Sequence, residues 1–79
     1  MSEINIKLNS IEDAQRFVNL MAKFDCDITV ESNEFIADAK SILGVLSLDL
    51  TKPIILKCSK NHESEIKRSV DEFLCYTLG

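Results

Sequence analysis

Lys40-Ser41-Ile42-Leu43-Gly44-Val45-Leu46-Ser47-Leu48-Asp49-Leu50 is the longest nearly uncharged run in a chain in which 28% of residues are charged. Ser41 reads as a helix N-cap, because its hydroxyl can accept from backbone N–H groups two or three residues further on. The apolar residues behind it are too dense for one buried stripe of a short helix. Val45 and Leu48 are expected in a core, which leaves Ile42, Leu43 and Leu46 partly exposed. Apolar side chains grouped this way suggest a partner surface; the alternative is that a neighbouring loop covers them.

Working outward, 79 residues make one domain near the lower size at which a chain folds without staples. At 46% hydrophobic, with two Gly and one Pro, the composition is that of a globular protein. Its expected stability is about 4–12 kcal/mol. The polar start Met1-Ser2-Glu3-Ile4-Asn5 does not resemble a signal peptide, and no segment approaches the roughly 20 apolar residues of a membrane span. Nine basic against thirteen acidic residues give a net charge of −4, which argues against nucleic acid as a partner. Cys26, Cys58 and Cys75 are odd in number and lack Cys-x-x-Cys spacing. Free thiols in a reducing cytoplasm are expected, with a disulfide or metal site as the alternative.

Upstream of the opening stretch, Ile4, Ile6 and Leu8 alternate with polar residues as in a half-buried strand. Ser10 supplies N-cap chemistry, and Glu12 and Asp13 place acids in a first helical turn. Ala14, Phe17, Val18, Met21 and Phe24 recur at helical spacing, so a helix is expected from residue 11 to about 24. Cys26, Ile28 and Val30 return to period two. Glu31-Ser32-Asn33-Glu34 is a tight-turn candidate leading into Phe35-Ile36-Ala37-Asp38-Ala39.

Downstream, Pro53 can open a strand that points Ile54, Leu56 and Cys58 inward. Asn61 is expected to cap a last helix with Ile66, Val70, Phe73 and Leu74 on its apolar face. Lys67–Asp71 and Arg68–Glu72 would pair on its wet side. The order β-α-β-β-α-β-α gives an α+β fold, in which two strand–helix–strand units interleave into a four-stranded sheet. Helices cover one face, and the other is open or polar.

The segment Ala39–Leu48 resembles the regulatory-serine segment of the HPr family, the small phosphocarriers of the bacterial sugar phosphotransferase system. It is most similar to the Gram-positive type, in which a dedicated ATP-dependent kinase phosphorylates that serine. Lys23-Phe24-Asp25-Cys26-Asp27-Ile28 resembles the family's helix-to-strand junction, and Asn33-Glu34 falls on its Asn-Gly turn. The resemblance implies an open-faced β-sandwich with an antiparallel sheet of strand order 1-4-2-3.

At the first helix the family reads Gly-(Ile/Leu)-His-Ala-Arg-Pro-Ala, where the histidine receives phosphate and the arginine assists. Here the residues are Leu8-Asn9-Ser10-Ile11-Glu12-Asp13-Ala14. Counted from the junction without a gap, Ser10 takes the histidine position, Glu12 the arginine position and Asp13 the proline position. A serine phosphate ester is too stable to pass its phosphoryl group on, and Glu12 and Asp13 put negative charge where the phosphate would sit. Ser10 then reads as a structural cap, and neither carrier activity nor catalysis is expected.

His62, the one histidine, is expected as an exposed surface residue unrelated to that site. No cofactor and no metal centre are indicated. Ser41 keeps its family surroundings, so the resemblance implies regulatory phosphorylation there, with Lys40 as a nearby counter-charge and Lys40, Ile42, Leu43 and Leu46 as the partner-binding residues. An HPr kinase or a transcriptional regulator would be such partners, in control of sugar transport or carbon catabolite repression. Asp49 replaces a common family glycine just past the helix. The alternative is a non-phosphorylated scaffold or oligomerisation module retaining only the fold. Oligomeric state is left open.

Overall fold

The computed structural model describes residues 2–75. Strand β1, Ser2–Ile6, alternates in burial, with Ser2, Ile4 and Ile6 inward and Glu3 and Asn5 outward. Leu8 is buried as expected, but two residues beyond the end of the strand. Helix α1, Ile11–Met21, buries the stripe Ala14, Phe17, Val18 and Met21. It is shorter than the apolar spacing implied. Lys23 and Phe24 donate to the carbonyls of Leu20 and Met21, three residues back, so the chain tightens and leaves the helix before Phe24.

Strands β2, Thr29–Ser32, and β3, Phe35–Asp38, form a hairpin around Asn33-Glu34. Asn33 takes a positive φ of 55°, which its short polar side chain tolerates. Helix α2, Ile42–Leu46, is five residues long and starts at the Ser41 cap. Val45 and Leu48 enter the core as expected. Strand β4, Ile54–Cys58, follows Pro53 directly and buries Ile54, Leu56 and Cys58.

The C-terminal part departs most from expectation. A 3-10 turn spans Lys60–His62, and helix α3, Glu63–Ser69, is capped at His62 rather than Asn61. Asn61 lies inside the tight turn, which Ser59 holds through a 2.9 Å hydrogen bond between its Oγ and His62 Nδ1. His62 is accordingly half-buried rather than exposed. Val70 leaves helical geometry, and a second 3-10 turn covers Asp71–Phe73. Lys67–Asp71 and Arg68–Glu72 are therefore not four-apart neighbours on one helix. Glu72 pairs with Arg16 of α1 instead, at 3.3 Å.

Ile66, Val70 and Phe73 still reach the core, while Leu74 forms a β-bridge with Ile6. Lys7 N donates to Phe73 O at 2.8 Å and Cys75 N to Asn5 O at 3.0 Å, closing the outer edge of β1. The sheet is antiparallel throughout, in the order β1-β4-β2-β3. Helices α1, α2 and α3 cover its inner face around one core in which Phe17 and Phe73 meet edge to face at 6.3 Å. On the outer face Lys57 Nζ lies 3.1 Å from Glu31 and 3.7 Å from Glu3, tying three strands together.

Candidate functional site

The first turn of α1 is occupied by its own side chains. Ser10 Oγ accepts from Asp13 N at 3.0 Å, and Asp13 Oδ2 accepts from Asn9 N at 3.0 Å. This is close to a capping box, shifted by one residue. Arg16 Nη2 donates to Asp13 Oδ1 at 2.8 Å. That guanidinium, then the Asn9 amide, holds the Asp13 carboxyl below the usual carboxylate range. Arg16 also sits 5.6 Å over the Phe73 ring, so its charge is directed toward the C-terminal turn. Glu12 is exposed and has no ion-pair partner among the described residues. An acceptor for phosphate at this helix end would face a committed serine hydroxyl and two carboxylates.

Beside this turn lies a shallow cleft of about 410 Å³ lined by Lys7, Asn9, Ser10, Ile11, Leu50 and Thr51. Lys7 Nζ bridges Asn9 Oδ1 at 3.1 Å and the Leu50 carbonyl at 3.0 Å, which pins the loop after α2 to the end of β1. Asp49 accepts from both Thr51 groups, side chain and backbone, and its carboxyl is held below the usual range by those bonds.

Ser41 Oγ accepts from Gly44 N at 3.1 Å, the cap geometry expected from sequence. The hydroxyl is half-buried, and Leu43 just behind it is 80% exposed. Leu46 is exposed and Ile42 half-buried, the latter sharing a cleft with Gln15, Val18 and Asn19 of α1. Ile42 thus borders the later part of α1, while Leu50 shares the other cleft with Ile11 at its start. No loop among the described residues covers Leu43. Lys40 is adjacent to Ser41 in sequence, yet its ammonium donates to the Phe24 carbonyl at 2.6 Å. Its charge is thereby drawn toward the turn after α1.

Ser10 and His62 are not brought together. The pairs Ser2↔Cys58 and Ile6↔Ile54 put the His62 turn and the Ser10 turn at opposite ends of the sheet. Among the described residues no cluster of His, Cys, Asp and Glu is arranged to hold a metal ion, and Cys26, Cys58 and Cys75 are free thiols. No helix among those residues is long and apolar enough to cross a membrane.

Two exposed features were not singled out from sequence. Ile11, at the start of α1, is 65% exposed and lines a cleft with Leu50 of the loop after α2. Spacing gave no signal for it, since Ile11 continues the Ala14–Val18–Met21 spacing and is exposed because it is the first residue of the helix. Phe35 and Ile36 are also exposed, as consecutive apolar residues on one strand must face opposite sides.

Residues 11–74 match the PTS-HPr family profile, described as the PTS HPr component phosphorylation site. Among solved structures, HPr-C-His from Thermoanaerobacter tengcongensis is similar with a TM-score of 0.76 and 26% identity, over 91% of this chain and 89% of that one. The histidine-containing phosphocarrier protein from Mycoplasma is similar in fold, with a TM-score of 0.73 and 17% identity over 90% and 89%. Comparison with curated protein sequences finds no match.

Proposed function

The chain belongs to the HPr family of the phosphotransferase system, and from that premise we propose that it is a regulatory protein that binds partners through α2 instead of carrying phosphate on histidine. The observation that carries this reading is the contrast between the two helix starts. At α1, Ser10 is committed as a cap with Glu12 and Asp13 beside it; at α2, Ser41 caps an acid-free turn next to an exposed Leu43.

Phosphorylation at Ser41 joins its Oγ to the γ-phosphorus of ATP. The bond to the bridging oxygen breaks, ADP leaves, and the hydroxyl proton passes to a base of the kinase. The product places about −1.5 to −2 charges beside Leu43 and Leu46, where helix N–H groups favour an anion. A partner reading that patch then meets a different surface in each state. The free thiols suit a reducing cytoplasm, and the chain reads as one HPr-like domain with protein partners.

Incubation with HPr kinase and ATP, followed by intact-mass measurement, tests the proposal. One phosphate on the wild type and none on Ser41→Ala is expected; no phosphate on the wild type removes the regulatory-serine reading. Transfer of label from phosphoenolpyruvate through the system's first enzyme would restore a carrier role. A second reading is favoured by the Lys40–Phe24 contact, which leaves Ser41 without its nearest cation: a scaffold whose serine only caps α2. Partners recovered equally by wild type and Ser41→Asp would support it.

A further inference from the structure

β3 is the free edge of the sheet, paired with β2 alone among the described residues, whereas the opposite edge is closed on β1 by residues 73–75. Folded proteins ordinarily blunt such edges with Lys, Pro or a bulge. Phe35-Ile36-Ala37-Asp38 contains neither residue, and its register with β2 runs unbroken from Ser32↔Phe35 to Thr29↔Asp38. Phe35 is 68% and Ile36 67% exposed, so both faces of this edge are apolar. Ala39 N donates to Ile28 O at 3.0 Å. Antiparallel pairing alternates, so the amides of Ile36 and Asp38 face the unpaired side.

The surroundings are acidic. Glu34 sits in the turn and Asp38 ends the strand. A cleft of about 380 Å³ alongside Ile36 is lined by Cys26, Asp27, Thr29, Asp38 and Lys40. Lys40 lines the cleft but gives its ammonium to the Phe24 carbonyl, and Lys57 pairs with Glu31 and Glu3, so Asp27 and Asp38 take part in no salt bridge among the described residues.

We propose that β3 is a strand-addition site for an extended segment of a partner protein, in which apolar side chains alternate with Lys or Arg. Its backbone would bond the outward N–H and C=O of Ile36 and the N–H of Asp38, whose carbonyl already accepts from Ser41 N. Its apolar side chains would lie together on the face of Phe35 and Ala37, and its basic side chains, on the face of Ile36 and Asp38, would reach the cleft lined by Asp27 and Asp38. A second copy of this chain fits less well. With Ile36 opposite its own mate, Glu34 faces Asp38, and like charges across a strand pair repel. Apart from Lys40, which lines the cleft, the site shares no residue with the α2 surface and does not depend on phosphorylation of Ser41.

Amide NMR titration with a capped octapeptide alternating lysine and valine tests this. Shifts and slowed exchange are expected at residues 35–39, with at least tenfold weaker binding for Ile36→Lys and for a glutamate–valine peptide. Asp27→Asn combined with Asp38→Asn should weaken binding severalfold and flatten its salt dependence. Both sets alter exposed side chains, and unchanged spectra elsewhere establish that they fold. The proposal is overturned by shifts confined to α2, by equal binding of the two peptides, or by undiminished binding to Ile36→Lys. Concentration-dependent shifts at β3 without peptide would overturn it in favour of self-association.

Discussion

Asn33 is one of the positions where a single side chain decides a local geometry. Its φ of 55° costs about 1 kcal/mol for a residue without a compensating polar group. Asn33→Ala should lower stability by about that amount in urea unfolding, and Asn33→Gly should leave it nearly unchanged. Asp13 sets a pH dependence with a definite sign. Its carboxyl is held low by Arg16, so the associated stability is present above the unfolded-state value and is lost as pH falls through the folded one, below roughly pH 4. Arg16→Gln should move the Asp13 carboxyl titration upward, as read by carbon NMR, because the largest of its causes is removed. Cys58 presents the opposite case: burial pushes its thiol up. Iodoacetamide at mildly alkaline pH should label Cys26 and Cys75, both half-buried, well before Cys58.

α2 is the element where local propensity and position disagree most. It is only five residues long and has Gly44 in its middle, yet the Ser41 cap and the burial of Val45 keep it formed. A Cβ at Gly44 would meet Ala37 and Ser41 at 3.4 Å, an ordinary contact. Gly44→Ala should therefore stabilise by about 0.5–1 kcal/mol, while Ser41→Ala should cost about 1 kcal/mol, both measurable by urea unfolding. The strands and the Ser10 and Ser41 caps were legible because alternation and capping are local rules. Element ends were less so. Phe24 and Leu74 keep apolar spacing after the chain has left the helix, and a 3-10 turn presents nearly the same face as the helix it replaces. The Asn61 cap failed because Ser59 and His62 make a competing turn three residues apart. Lys40's partner, the Phe24 carbonyl, lies sixteen residues away in sequence, beyond any local signal.

At the scale of the whole molecule, β4 is the last strand in sequence and lies between β1 and β2. Ser2 pairs with Cys58 and Val30 with Leu56, so neither early strand acquires its inner neighbour until β4 arrives. A fragment of residues 1–50 holds a two-stranded hairpin, a detached β1 and two helices with bare apolar faces. It should show no cooperative transition by circular dichroism, whereas the full chain should unfold in one step. Pairing strands this far apart in sequence makes folding slower than for helical bundles of the same size, in the range of α/β domains. The interior position of β4 has a further consequence for synthesis. A ribosome that stops between the codons for α2 and β4 releases a product whose apolar strands have no sheet to join, and such a chain is open to proteases. The sheet can close only once the message has been read through Cys58, and the core only once Ile66, Val70 and Phe73 follow.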